Sequence, residues 1–432
     1  MKKKMSTVEL QIAERARKFN KEPLTNLNQF ITNGLLHKEL RKLNKYSSQG
    51  TDGNDWFDYS LVAKERLPEL LAEYKSGKYK APPIRRVYIP KGKTGKRPLG
   101  VPTIEDKVLQ SGLRKVIEPI YEELFKDFSY GFRPNRSCHQ AIECMYQKVS
   151  FGNMRYIIDA DIQNYFGSIN HGILRKFLDH RVKDGVIRKM LDKWLKAGVL
   201  EGKQLTYPET GTPQGGIISP LLSNIYLHYV LDEWFSEAIQ PRLKGKSFIV
   251  RYADDFVLGF EKSEDANRVM EVLPKRFGKY ALSLHPEKTR VVNLNKSDKG
   301  NRSYDFLGFT HYIGRSRKGK SILKRKTSKK KLTNSINSTE NWIKRNRHNK
   351  LKEIIYGLNA KLRGHYNYYG IKFNYQSLAN FYHTVKALLQ KWLNRRGGKP
   401  IWHWERFNML VNQWLPLLRP KIYHSCLSVK PN

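Results

Sequence analysis

One segment of this chain indicates its architecture: Phe248-Ile249-Val250-Arg251-Tyr252-Ala253-Asp254-Asp255-Phe256-Val257-Leu258. Two apolar runs flank a pair of adjacent aspartates, and this pattern predicts two buried β-strands joined by a tight turn. Neighbouring side chains of an extended strand point to opposite faces, whereas the turn of a hairpin allows both carboxylates to project from its tip. We therefore expect Asp254 and Asp255 to share one end of a hairpin.

Two carboxylates in such a place need a compensating charge. Unit charges about 4 Å apart repel each other by ~4 kcal/mol at an effective dielectric constant of roughly 20. A hard divalent cation bound through oxygen atoms removes this repulsion, and Mg²⁺ also keeps coordination sites for substrate phosphates. A second apolar run, Tyr156 to Ile158, leads to Asp161, which is the natural third ligand. The alternative, from these residues alone, is a solvated turn without a metal.

The rest of the chain mixes strands and helices without regular βαβ alternation, so we predict an α+β fold. From Ile104 onward apolar residues recur at every fourth position, which predicts a long amphipathic helix. The composition then changes after about residue 313, because ten of the seventeen residues from Arg315 to Lys331 are Lys or Arg. We place a domain boundary in this basic linker and expect three parts, residues 1–60, 61–313 and 314–432.

The charge of the chain indicates a nucleic-acid partner. Its 80 Lys and Arg residues against 39 acidic residues give a formal net charge of +41. A polyanion is the usual partner of such a chain, because each neutralised phosphate releases condensed counterions. No apolar run approaches the ~20 residues that a membrane span requires, so we expect no membrane partner. The three cysteines, Cys138, Cys144 and Cys426, lack metal-type spacing and indicate reduced thiols in a cytoplasmic protein.

Three motifs resemble those of one family, the reverse transcriptases. The motifs are Tyr252-Ala253-Asp254-Asp255, similar to the catalytic hairpin, Asp161-Ile162-Gln163-Asn164-Tyr165-Phe166, similar to the first catalytic strand, and Gly211-Thr212-Pro213-Gln214-Gly215-Gly216-Ile217-Ile218-Ser219-Pro220, similar to a helix start. They occur in the family's order. The resemblance implies an RNA-directed DNA polymerase with a right-hand fold, in which fingers and a palm with an antiparallel sheet precede a helical thumb.

The same resemblance implies roles for individual residues. Asp161, Asp254 and Asp255 would be the catalytic ligands of two Mg²⁺ ions, with Mn²⁺ as a substitute, and the backbone carbonyl of Ile162 would be a further ligand. Lys288 would be a general acid that protonates pyrophosphate; the alternative is a surface lysine. The residues expected to bind the incoming deoxynucleotide are Lys91, Arg97, Ile162, Phe166, Gln214 and Asn224.

Other assignments also have a plain structural alternative, which for Lys91 and Arg97 is a solvated surface charge. Phe166 lies five residues after Asp161, where the family places an aromatic steric gate against a 2′-hydroxyl; the alternative is an ordinary core phenylalanine. Asn224 follows in the helix after Gln214, and its alternative is a packing or capping asparagine.

Further segments resemble the group II intron reverse transcriptases, also called maturases. They are Asn20 to Gly53, Ser129 to Ser137, Leu362 to Tyr369 and Pro420 to Ser425. The basic residues of the predicted thumb alternate with Tyr and Trp, which provides phosphate contacts together with surfaces for stacking. The resemblance implies as partners an RNA template and primer, the intron RNA and target DNA, and implies roles in splicing and retromobility. Since the chain ends at Asn432 without a Cys/His-rich module, we expect the class without an endonuclease domain.

Three other functions remain as alternatives. One is a splicing-only RNA-binding maturase with a relic polymerase site, against which the complete set of predicted metal ligands argues. Another is a reverse transcriptase of a retron, a diversity-generating element or a defence system, which the maturase-like thumb disfavours. An RNA-dependent RNA polymerase is disfavoured by Phe166 and by the Tyr252 to Asp255 motif.

Overall fold

The computed structural model describes residues 5–91, 95–202, 204–212, 215–295, 302–397 and 401–425. The chain divides into two compact units. The first consists of Met1–Ala141, Ala160–Leu258 and Ser263–Arg290, and the second consists of Ile142–Asp159, Gly259–Lys262 and Val291–Asn432. This division differs from the three predicted parts, because segments of the predicted palm belong to the second unit.

Helices and short strands alternate irregularly along the described residues, as the α+β prediction requires. The α-helices are α1 (Thr7–Lys18), α2 (Asn33–Lys42), α3 (Trp56–Ser76), α4 (Ile104–Glu122), α5 (Cys138–Phe151), α6 (Tyr165–Ser168), α7 (His171–Asp179), α8 (Gly185–Leu195), α9 (Ser219–Leu227), α10 (Ser263–Lys279), α11 (Lys329–Asn346), α12 (Leu351–Tyr369), α13 (Tyr375–Leu393) and α14 (Trp404–Met409). The strands are β1 (Ile84–Lys91), β2 (Gly95–Val101), β3 (Tyr156–Asp161), β4 (Val199–Glu201), β5 (Gln204–Thr206), β6 (Ser247–Tyr252), β7 (Asp255–Phe260), β8 (Arg290–Asn293), β9 (Ser303–Phe306), β10 (Phe309–Arg315) and β11 (Ser321–Thr327). The helix that begins as α9 continues through π-helical segments at His228–Asp232 and Trp234–Ile239.

Three sheets organise the strands, with the orders β2-β1-β4-β5, β6-β7-β3-β8 and β11-β10-β9. In the first sheet, β1 and β2 form an antiparallel hairpin whose register runs from Arg85↔Val101 to Lys91↔Gly95. In the second, β6 and β7 are neighbours joined by only two residues, a connection that antiparallel strands allow. The predicted α+β class is confirmed.

Helix α4 is the long amphipathic helix that the sequence predicts. Thr103 caps it, because its side chain accepts a hydrogen bond from the amide of Asp106, and the acidic first turn complements the helix dipole. The predicted apolar positions Val108, Val116 and Ile120 are fully buried. Each buried Val or Ile side chain contributes about 1.5–3 kcal/mol to folding, so α4 is a central support of the first unit.

The second unit corrects the prediction of a basic linker. Residues 321–327 form β11, which pairs with β10 along its whole length, from Phe309↔Thr327 to Arg315↔Ser321. The prediction was wrong because ten of the seventeen residues from Arg315 to Lys331 are Lys or Arg, although Leu323 and Arg325 are completely buried. Helix α11 follows directly and packs against α13. No described helix is long and apolar enough to cross a membrane.

Candidate active site

The Asp254–Asp255 pair lies at a hairpin turn, as the sequence predicts. Strand β6 ends at Tyr252 and β7 begins at Asp255. Ala253, in the turn, has a φ of +58°, which is the left-handed region that residues with a Cβ rarely adopt. A backbone in this conformation stores strain of roughly 1–3 kcal/mol and persists only where its surroundings hold it.

A buried ion pair next to the turn supplies that support. Arg251 and Asp232 are both fully buried, and the guanidinium donates through Nε and Nη2 to the Asp232 carboxylate at 2.8 and 2.5 Å. Its Nη1 donates to the carbonyl of Ala253 at 3.0 Å and to Oδ1 of Asn224 at 2.9 Å. Arg251 therefore connects helix residues 224 and 232 with the carbonyl of the strained turn residue.

Asn224 uses both ends of its amide in this network. It is buried, and its Nδ2 donates to the carbonyl of Gly131 at 2.7 Å while its Oδ1 accepts from Arg251. Gly131 in turn touches the hairpin, because a Cβ at this position would lie 2.3 Å from the amide nitrogen of Ala253. Only glycine fits there. The structure thus places Asn224 beneath the turn, with its amide directed at protein groups.

Asp161 ends β3, which lies beside β7 in the sheet. The pKa of the Asp254 carboxyl is raised, first because the group is buried and then because the negative charge of Asp161 opposes its ionisation. The guanidinium of Arg97 acts in the opposite direction and lowers that pKa. These effects place Asp161 and Arg97 within electrostatic reach of Asp254.

Lys288 is brought to Asp161 by a short extended segment. The amide of His285 donates to the carbonyl of Asp161 at 2.8 Å, and Ile162 forms a bridge with Leu284. From there the chain turns so that the Lys288 ammonium group lies 2.5 Å from Oδ2 of Asp161. Both side chains keep access to solvent, so the pair is accessible to a substrate.

The β1–β2 hairpin carries the two predicted triphosphate-binding cations. Arg97 stands opposite Ile89 in the register, and the backbone of Lys91 stands opposite Gly95. The side chain of Lys91 lies outside the described part of the structure, so its predicted role stays a prediction.

Phe166 lies in α6, with a partly exposed ring, and its carbonyl accepts a hydrogen bond from the amide of Thr212 at 2.8 Å. A Cβ at Gly215 would lie 2.3 Å from the carbonyl oxygen of Gly100, so the same loop also approaches β2 closely. Gln214 itself lies outside the described residues. Thr212 and Gly215, the nearest described residues before and after it, nevertheless contact α6 and β2, two elements of the predicted nucleotide site.

The carboxylate oxygens of Asp161 and Asp254 suit a divalent cation, although the described side chains do not by themselves form a complete metal-binding site. Within the described ranges, no three His, Cys, Asp or Glu side chains lie close enough together to hold one metal ion. The carboxylates of Asp161 and Asp254 are hard oxygen donors, and their mutual repulsion raises the pKa of Asp254. The ammonium group of Lys288 supplies part of the positive charge that Asp161 needs. Oxygen donors of this kind suit a hard divalent cation.

The chain matches the family described as "Reverse transcriptase (RNA-dependent DNA polymerase)" over residues 89–311 and the "Group II intron, maturase-specific domain" over residues 329–408. It is 30% identical to the group II intron-encoded protein LtrA of Lactococcus lactis subsp. cremoris, over 81% of this chain and 72% of that protein. It is 34% identical to Protein YkfC of Escherichia coli (strain K12), over 63% of this chain and 79% of that protein. It is also 26% identical to the Putative COX1/OXI3 intron 1 protein of Saccharomyces cerevisiae, over 78% of this chain and 49% of that protein.

The chain belongs to the reverse transcriptase family and carries a group II intron maturase domain. It is an RNA-directed DNA polymerase, and the predicted family, enzyme class and maturase domain are confirmed. Enzymes of this family generally depend on divalent metal ions, and nucleic acids are their partners.

Sequence reasoning missed the pair that supports the turn, Arg251 and Asp232. One signal was available, since a charged residue inside an otherwise apolar strand needs a buried partner. The partner could not be identified, because Asp232 lies 19 residues earlier in the chain and reaches the strand only through the fold.

Proposed function

We propose that this polymerase extends a DNA primer on an RNA template with Asp161 and Asp254 holding two Mg²⁺ ions, and with Asp255 as a supporting ligand. The observation that carries the proposal is the placement of Asp161 at the end of β3, beside strand β7 and the turn that holds Asp254 and Asp255. When bound, the ions activate the primer hydroxyl and stabilise the leaving pyrophosphate. The carbonyl of Ile162, the residue that follows β3, would complete the ligand set.

The surrounding cations would bind the triphosphate of the incoming nucleotide and assist the departure of pyrophosphate. Arg97, which already acts electrostatically on Asp254, would hold the phosphates by a bidentate fork, with Lys91 as a point charge beside it. Lys288 lies beside Asp161 and would donate a proton to the leaving pyrophosphate. Gln214 would contact the nucleotide from the loop that Thr212 anchors to α6.

Phe166 would select the sugar. Its partly exposed ring lies five residues beyond Asp161, and its backbone is fixed by Thr212. A ring held in this way would clash with a 2′-hydroxyl. We expect Phe166→Ala to raise the incorporation of ribonucleotides relative to deoxynucleotides in primer extension, and unchanged sugar selectivity would exclude the gate.

Asn224 would position the hairpin without touching the nucleotide, because both ends of its amide are bound to protein. Asn224→Ala should then lower kcat while leaving KM for dNTP within about threefold, since the nucleotide loses no contact. A selective rise in KM would instead restore the nucleotide-binding role that the sequence predicts.

Intron RNA and target DNA would be the further partners, given the maturase domain at residues 329–408. A protein that acts on these polymers, with reduced cysteines, would work in the bacterial cytosol or nucleoid. Assistance to intron splicing would use the same bound RNA.

Primer extension on an RNA template with dNTPs and Mg²⁺ tests the central proposal. Asp254→Asn should reduce extension on the order of 10³-fold, because ligation of the metals supplies several kcal/mol of transition-state stabilisation. The matched control is Asp179→Asn, which removes a carboxylate from a half-exposed ion pair with Arg188. Normal extension by Asp254→Asn would refute the proposal. So would an inactive wild-type protein that still promotes splicing, because it would be a splicing-only maturase.

A further inference from the structure

A second charged site lies in the maturase domain, around Trp392 near the end of α13. Four cations surround its indole ring at 5.3–5.6 Å from the ring centroid: Lys344, Arg347, Lys391 and Arg395. Lys344 lies in α11 and Lys391 lies in α13. Arg347 and Arg395 follow the ends of these two helices by one and two residues. We call these five residues the Trp392 cluster.

The charges of the Trp392 cluster are poorly balanced. Glu340 accepts a hydrogen bond from the indole N–H of Trp392 at 3.2 Å and lies 3.6 Å from the ammonium group of Lys391. It is the one carboxylate recorded in contact with the cluster among the described residues. Since each cation lies within 5.6 Å of one ring centroid, no two cations are more than about 11 Å apart, comparable with the Debye length of ~10 Å at 0.1 M salt. They therefore repel one another.

Part of this charge also lacks hydrogen-bond acceptors. The Nε atoms of Arg347 and of the neighbouring Arg396 are buried and have no hydrogen-bond partner within the described part of the chain. Lys344, Lys391 and Arg395 are exposed, and Trp392 is partly exposed. Cation–π contacts offset some of the repulsion. They do not supply the hydrogen-bond acceptors that the four cations of the cluster and Arg396 can use.

We propose that the Trp392 cluster binds a single-stranded segment of RNA, with its phosphates between the four cations and one base packed on the indole or on a guanidinium plane. This inference rests on the proposed RNA-directed function and assigns it a second surface. Phosphate oxygens supply both the negative charge and the acceptors. An aromatic ring among cations is the combination that binds unpaired nucleotides, because the bases of a duplex are already stacked.

The test measures the affinity of the full chain for a fluorescent 15-nucleotide oligouridylate over a range of salt concentrations. Neutralising the cluster (K344Q, R347Q, K391Q and R395Q together) should lower the salt slope by about 3 and the affinity by about 10²–10³-fold at 0.1 M salt, from ~0.7 counterions per single-strand phosphate. The matched control removes the same charge from exposed residues of the first unit, as K64Q, K189Q, R268Q and K275Q together. Equal losses in the two variants would overturn the proposal.

Two single variants separate stacking from charge and guard against misfolding. Trp392→Leu should weaken binding about 5- to 150-fold, the range for one stacked base, without changing the salt slope. Glu340→Gln keeps an acceptor for the indole N–H but removes the negative charge, so RNA affinity should rise several-fold. A loss of affinity in Glu340→Gln would contradict the electrostatic assignment, and a folding defect cannot imitate the predicted gain.

Primer extension at saturating primer–template distinguishes this proposal from the polymerase proposal. The cluster variant should add dNTPs within about threefold of the wild-type rate, because the cluster is not part of the catalytic site. Loss of extension with normal oligouridylate binding would show that the surface binds the primer–template duplex, which would overturn the inference. Failure of the Asp254→Asn test alone would leave the RNA surface intact.

Discussion

Two completely buried arginines, one in each unit, have opposite surroundings. The guanidinium of Arg251 donates four hydrogen bonds: two to Asp232, one to Asn224 and one to the carbonyl of Ala253. Arg325 has none, because its Nε, Nη1 and Nη2 atoms lack hydrogen-bond partners throughout the described residues. The two side chains are equally removed from water. Burial of charge alone therefore does not identify a functional site; the acceptors do.

Arg325 is held by a ring and by its neighbours in the sheet. Its guanidinium lies 5.2 Å from the centroid of Tyr146. In the β9–β10–β11 sheet it stands opposite His311, which stands opposite Tyr304 on the other side. An unpaired buried guanidinium costs several kcal/mol, and a desolvated cation–π contact returns about 2. The stability of the second unit is thus reduced at this point, whereas Arg251 maintains the geometry of the Asp254–Asp255 hairpin.

The largest effect should follow from Arg251→Met. The substitution leaves the Asp232 carboxylate buried without a partner, and breaking a buried pair in this way typically costs about 3–5 kcal/mol. Chemical denaturation, followed through hydrogen exchange of the β6 and β7 amides, should show this loss in the first unit. An unfolding free energy within about 1 kcal/mol of the wild type would remove the distinction between the two arginines.

A paired substitution then separates stability from positioning. Arg251→Met with Asp232→Leu replaces both charges by apolar groups, which is often neutral or stabilising. Stability should recover, yet primer extension should stay at least about tenfold below wild type, because the carbonyl of Ala253 and Oδ1 of Asn224 have lost their donor. Full recovery of extension would mean that the ion pair has no part in shaping the turn.

The next effect concerns pH and His311. Burial, and then the charge of Arg325, lower the pKa of His311 to about 3. Since an unfolded histidine titrates near 6.5, the neutral form stabilises the fold fully above that pH, and this contribution is lost as the pH falls from about 6.5 towards 3. Because the unfolded state binds one more proton than the folded state over this window, the free energy of unfolding at pH 5 is about 2 kcal/mol lower than above pH 6.5. The second unit should unfold accordingly in acid.

His311→Gln is the variant that isolates this titration. It should flatten the dependence of stability on pH between about 6.5 and 4 by roughly one proton. Burial lowers the pKa of His365 to about 4. The titration of His365 should therefore still reduce the stability of the His311→Gln variant as the pH falls. Among the described residues, Tyr304 and Arg325 are the ionisable groups that stand opposite His311 in the sheet, and burial raises the pKa of the Tyr304 hydroxyl. An unchanged slope would exclude His311 as the acid-sensitive group.

The contrast between the arginines also shows where sequence reasoning ends. The hairpin with Asp254 and Asp255 was predictable, because apolar runs around charged residues indicate buried strands with a turn. The position of Arg325 was not. It lies between Lys324 and Lys326 in a run of basic residues, and only the register of β11 directs it inward with Leu323. The alternation of side chains along a strand shows which residues share a face. It does not show which face is buried when both faces carry charged residues.

The smallest effect should follow from Arg325→Met, and it tests the comparison most directly. Methionine fills a similar length of buried space, and the change removes a desolvated charge together with one cation–π contact of about 2 kcal/mol. These terms oppose each other, so the unfolding free energy should stay within about 1 kcal/mol of wild type or rise. The variant should also raise the pKa of His311, because the charge of Arg325 is a cause of its depression. NMR titration of the histidine ring would detect that change even if stability is unaltered. A loss of stability comparable to that of Arg251→Met would show instead that the two buried charges are supported equally well, and the difference in hydrogen bonding would then have no energetic meaning.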